Sequence, residues 1–171
     1  MTPGERLPAD PWFLFEVDVT VKTRQPPVVP EPPRSGDSAE DCDIRTRRNP
    51  EFDWADQTWA LLAVGDSALP GAVPLVTRDH HGSRTDLPDP VLVAPGPATA
   101  RPVRAVPALP EVGQVQGFRR GDGSGHLHQW FPPRPLGAMQ TRGSMPAMWV
   151  DPVPPLPVPQ VDAARATQEG T

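Results

Sequence analysis

Glu111-Val112-Gly113-Gln114-Val115-Gln116-Gly117-Phe118 and His126-Leu127-His128-Gln129-Trp130-Phe131 flank Arg120-Gly121-Asp122-Gly123-Ser124-Gly125, and no proline falls between 111 and 131. Two short runs of strand formers joined by a glycine-rich turn read as a β-hairpin over about 112–131. Its freedom from proline matters because the chain carries 27 prolines in 171 residues. Each proline fixes φ and removes a backbone donor, so helices and central strands are excluded wherever prolines cluster.

Two other proline-poor windows exist. From Trp12 to Thr23, Phe13, Phe15, Val17, Val19 and Val21 share one parity, and Glu16, Asp18, Thr20 and Lys22 share the other. Period two predicts a strand with one buried face. From Asn49 to Gly65, Asn49 suits an N-cap, Pro50 the first helical position, and Phe52, Ala55, Trp59 and Leu62 one helical face. A helix over about 50–64 follows. Shorter strands are expected at Val73–Val76, Val91–Val93 and Val103–Val106, confined to sheet edges by their neighbouring prolines.

The expected fold is mainly β with one short helix: a small β-rich module carrying long Pro-rich arms and linkers. It divides into an N-terminal strand segment at 1–24, a Pro-rich and charged linker at 25–48, the module at 49–131 and an extended arm at 132–171. No run is apolar and long enough for a transmembrane helix, and Thr2–Asp10 lacks the apolar block of a signal peptide.

A net charge of −5 argues against binding phosphate backbones, which needs a basic face. Arg45, Arg47 and Arg48 follow Asp37, Glu40, Asp41 and Asp43 and read as a mixed-sign solvated loop. The single Cys42 forbids an internal disulfide and has no histidine near it in sequence. His80-His81 and His126-x-His128 could meet as metal ligands, since residues i and i+2 of a strand share a face. As two separated pairs they read instead as solvent-facing polar residues, with no metal, cofactor or catalytic residue assigned. Arg120-Gly121-Asp122 reads as turn residues.

Leu61-Leu62-Ala63-Val64-Gly65-Asp66-Ser67-Ala68-Leu69-Pro70-Gly71 resembles the first block of the GDSL/SGNH esterases. The resemblance implies Ser67 as nucleophile. That family's Gly-x-Asn-Asp block and Asp-x-x-His pair have no counterpart, since the only asparagine is Asn49, upstream of the serine.

Ser144-Met145-Pro146-Ala147-Met148-Trp149-Val150 is an apolar peptide in a Pro-rich tail, and Pro154-Pro155-Leu156-Pro157 resembles a ligand of WW or SH3 domains. Phe13, Phe15, Val17, Met145, Met148, Trp149, Pro154, Pro155, Leu156 and Pro157 are therefore the expected contacts to protein partners. Abundant Gly, Ala, Arg and Pro point to a GC-rich genome. Together these features suggest a non-enzymatic structural protein laced through its arms into a multi-subunit particle. The expected setting is a phage or virus, as a minor capsid, cement or tail component, located in the virion or otherwise the cytoplasm. A Ser67 hydrolase and a Pro-rich adaptor folding on one soluble partner are the alternatives.

Overall fold

The computed structural model describes residues 23–46, 52–62, 64, 69, 71–93, 95–109, 112–119, 123–138 and 141–142. The expected strand at Trp12–Thr23, all but its last residue, lies outside the described residues. So do Ser67, the Arg120-Gly121-Asp122 tripeptide and every expected partner contact from Phe13 to Pro157.

The described chain is mainly β with one short helical segment, as the sequence leads one to expect. In order it forms a one-turn α1 (Asp43–Thr46), β1 (Trp54–Ala55), β2 (Trp59–Leu61) and β3 (Val73–Thr77). Then come α2 (Asp89–Val93), α3 (Pro95–Ala105), β4 (Val112–Val115), β5 (His128–Phe131) and β6 (Pro133–Pro135). Four strands make an antiparallel sheet in the order β1-β2-β3-β5, and β4 pairs with β6 beside it.

The expected helix at 50–64 is replaced by a β1–β2 hairpin, with Trp54 opposite Leu61 and Ala55 opposite Ala60. Asp56 decides this locally: its Oδ1 accepts from the N–H groups of Thr58 and Trp59, each at 2.7 Å, closing the turn. The helical spacing described only one apolar face. Trp59, Ala60 and Leu61 are all buried, Trp59 and Leu61 in one core and Ala60 with Phe52 and Val76 in another. A strand covered on both faces carries no period for the sequence to display.

Val73–Thr77 is a strand, as expected, but a central one between β2 and β5, with all five residues buried. Pro74 is tolerated there because β2 ends opposite it. Its carbonyl accepts from Leu62 N–H at 3.2 Å, just past the last residue of β2. In an antiparallel pair a residue's N–H and C=O face the same neighbour, so the missing donor falls where the ladder is already running out.

Val91–Val93 and Val103–Val106, expected as strands, are helical instead, Val106 opening a 3-10 turn at the end of α3. Pro95 and Pro97 occupy the first turn of α3, where an absent N–H costs nothing. Pro102 lies inside the helix, and with Ala98 four residues earlier it is buried. The helical segment thus lays its proline face on the sheet core of Trp59, Leu61, Val73, Leu75, Leu127 and Phe131. Among the described residues, no helix is long and apolar enough to cross a membrane.

The hairpin expected over 112–131 survives in shifted form. Phe118 bridges Trp130, and Val115 pairs with Pro133, so its second arm runs past Phe131 into β6. Phe131, 1% exposed, belongs to the main core. Phe131→Ala is expected to cost about 3–5 kcal/mol of unfolding free energy, read from the urea midpoint.

Candidate metal centre and its histidines

Three distant segments converge at one end of β5. The first is a strap, residues 23–42, whose proline-rich part is exposed as an extended linker should be. It docks through Ser35, which forms a bridge with Ser124 and accepts from Gly125 N–H at 2.9 Å. A tight turn fixes it there: the Asp37 carboxylate takes the Arg34 backbone N–H at 2.7 Å and Nε at 2.9 Å. These bonds, the backbone one first, hold the Asp37 pKa below the usual carboxylate range.

The strap delivers Cys42, 2% exposed, into the fold. The second segment, the loop after β3, brings His80, and the third brings His126, 3% exposed, just ahead of β5. The ligand atoms of Cys42, His80 and His126 lie within 4.8 Å of one another. The exposed-histidine expectation is corrected here. One member of each pair meets the other, the His80 and His126 rings lying edge to face at 5.6 Å.

Hydrogen bonds define the state of each ring. A carbonyl can only accept, so His126 Nε2–H donates to Thr77 O at 2.7 Å, with the Thr77 hydroxyl at 3.3 Å. Its Nδ1 therefore carries the lone pair, facing Cys42 Sγ at 3.1 Å. His80 Nδ1 is buried with no hydrogen-bond partner. Burial of the His126 ring pulls its pKa from 6.5 down to about 4, against an opposing pull from the Thr77 carbonyl. A neutral ring with its far nitrogen fixed by a backbone carbonyl is the form in which histidine ligates metal.

That shift sets a pH dependence for the metal-free protein. With the folded pKa near 4 and the ordinary value 6.5, the unfolded chain takes up the proton first as pH falls. The stability is therefore complete above about 6.5 and drains away as pH falls toward 4. Between pH 7 and pH 5 the loss should be on the order of 2 kcal/mol, and much smaller in His126→Asn, measured by urea unfolding at each pH.

His128 follows two residues on and shares its face with Trp130, whose ring it meets at 6.3 Å. Its Nδ1–H donates to His126 O at 2.8 Å, which puts the lone pair on Nε2, for which no partner stands among the described residues. His81 contributes only its backbone: its carbonyl accepts from Leu127 N–H at 2.6 Å, tying the β3 loop to β5.

No family model matches the sequence, and no curated protein is similar enough to count as a match. Solved structures do match in fold. One is a Hit-like protein involved in cell-cycle regulation from Bartonella henselae, with an unknown ligand (14% identity, 70% of this chain and 85% of that one, TM-score 0.53). Another is a zinc-bound histidine triad family protein from Mycobacterium smegmatis (14%, 70% and 84%, TM-score 0.52). A third is a hypothetical histidine triad nucleotide-binding protein from Sulfolobus tokodaii (13%, 75% and 90%, TM-score 0.54).

The fold is that of the histidine triad proteins.

This likeness corrects the functional expectation. The fold matches cover 70–75% of this chain, and the three structures are described as Hit-like or histidine triad proteins, not as phage capsid or tail components. The readings as a non-enzymatic capsid or tail part, as a Ser67 hydrolase and as a Pro-rich adaptor are all set aside. The first and last of these rest on the proline content and the terminal segments, and the Ser67 reading on the Leu61–Gly71 stretch alone. The candidate site instead joins His126, from the proline-free window, to Cys42 and His80, which are far from it in sequence.

The missed signal was modest: His126-x-His128 inside an expected strand, with a lone cysteine upstream. Nothing in the spacing pairs Cys42 with His126, 84 residues away.

Proposed function

We propose that this chain is a zinc-holding protein of histidine triad fold that acts on the phosphate of a nucleotide, with His128 as the reacting group. The observation that carries the reading is the meeting of buried Cys42 and His126 with half-buried His80, whose buried Nδ1 has no hydrogen-bond partner among the described residues. A buried polar atom with no bond costs free energy unless something fills the gap, and a cation at this point would fill it.

The donor set fits zinc. One thiolate and two imidazoles are borderline-soft ligands, with bonds of about 2.3 Å to sulfur and about 2.0 Å to nitrogen. Cys42 Sγ and His126 Nδ1 stand at 3.1 Å and would part by roughly 0.4 Å to span two such bonds at a tetrahedral angle. Bound there, zinc would draw the strap, the β3 loop and β5 into one rigid end.

His128 is then supported rather than ligating. Its backbone neighbour His126 would be fixed by the metal, and its own Nδ1–H by the His126 carbonyl. Nε2 of a neutral imidazole held in this way is a competent nucleophile or general base toward phosphorus. The nucleotide comes from the Sulfolobus tokodaii neighbour's description, and zinc from that of the Mycobacterium smegmatis one.

The test is hydrolysis by the zinc-loaded full chain of a panel of adenosine and guanosine phosphoesters. His128→Ala should remove turnover while leaving one zinc per chain by atomic absorption. Undiminished turnover in that variant, or failure of every nucleotide in the panel, defeats the reading.

A further inference from the structure

On the opposite face of the sheet from His128, between α3 and the β1–β3 strands, lies a cleft of about 860 Å³. Its floor is apolar, built from Leu61, Val73 and Val106. Its mouth is not. Trp54 stands at one side with the Arg101 guanidinium 4.3 Å from its ring centroid, and Arg104, one turn further along α3, joins the rim. Both arginines are exposed, and neither has a carboxylate or carbonyl partner among the described residues.

We propose that this cleft binds an amphipathic organic anion: an apolar body of small-molecule size carrying one carboxylate. Three features select that class. The volume lies within the range of ligand pockets. The floor side chains Leu61, Val73 and Val106 are apolar, so the part of the occupant that rests on them is hydrocarbon or aromatic. The two guanidiniums outnumber the one carboxylate of the lining, Asp53, and in a chain of net charge −5 make a local reversal of sign that a single anionic head completes.

Arg101 is pre-positioned for the task. Stacking on Trp54 fixes the guanidinium plane and leaves its N–H edges free, which is how arginine presents a fork to a carboxylate. The site is independent of the metal centre and of the nucleotide reading, since it shares no residue with either.

The experiment is a titration of the full chain with 1-naphthoate and with the neutral 1-naphthalenemethanol, with and without zinc. It is followed at the Trp54 indole resonance, assigned through Trp54→Phe. Naphthoate should shift that resonance at one site per chain, equally in both metal states. In Arg101→Gln/Arg104→Gln its affinity should fall about tenfold, while that of the alcohol stays unchanged. Ala100→Leu, which narrows the cleft, should weaken both probes. The proposal is overturned by an unperturbed Trp54, as when a segment of the chain itself covers the cleft. Equal affinity of naphthoate for wild type and the double variant overturns it too, as does a shift confined to the His128 and Trp130 signals.

Discussion

Cys42→Ser is expected to lower zinc affinity by more than about 100-fold, because loss of a first ligand exceeds the 10–100-fold cost of losing an outer-shell partner. The wild-type chain should bind one zinc and melt at a temperature that rises with zinc concentration. At free zinc 100 times the dissociation constant the gain is about 2.7 kcal/mol, and the variant should show almost none of it. The serine hydroxyl is nearly isosteric with the thiol and still meets His126 Nδ1, so the metal-free fold should survive. A zinc-dependent melting shift as large in Cys42→Ser as in wild type would remove Cys42 from the ligand set. His80→Ala offers an independent check, because it deletes the ring whose Nδ1 has no partner.

Gly125→Ala should be the most damaging single-methyl change in the described chain. A Cβ there would stand 2.5 Å from Asp37 Cα and 2.6 Å from Asp37 N. Both are backbone atoms, and the strap cannot yield by turning a side chain. Gly82 shows the same tightness from the other side, since a Cβ added there would lie 3.2 Å from the Gly125 carbonyl oxygen. Relief requires the strap to lift off Ser124, which breaks the Gly125 N–H to Ser35 bond and draws Cys42 away from His126. We expect a loss of about 2–3 kcal/mol in urea unfolding, together with weakened zinc binding, from one methyl group. Zinc binding at wild-type strength in a destabilised Gly125→Ala would show that the strap's docking and the metal centre are uncoupled.

Some of this was legible in the residues alone. The proline-free run at 111–131 marked strands correctly, because β-formers around a glycine-rich turn have few other options. Val73–Thr77 also showed as a strand. Its central place did not, because proline was judged by its missing donor without knowing where the neighbouring strand ends. In α3 the same rule misled. Two of its prolines fall in the first turn and one is buried against the sheet, positions that depend on where the helix begins and which way it faces. At Trp54–Leu61 the helical spacing was real, but the Asp56 turn and the burial of both strand faces outweighed it.

The candidate site divides along the same line. By itself the sequence determined a mainly β module with one short helix, though not where that helix lies, an acidic net charge and two histidines spaced two apart beside a strand. Local propensity and period settle such features within a few residues. Only the tertiary structure decided that Cys42, His80 and His126 share a point in space. That convergence depends on a glycine allowing close approach at residue 125 and on a strap docked by backbone bonds. Contacts across 84 residues leave no periodic trace in a single chain, and the burial that makes His126 a neutral ligand exists only once the sheet has formed.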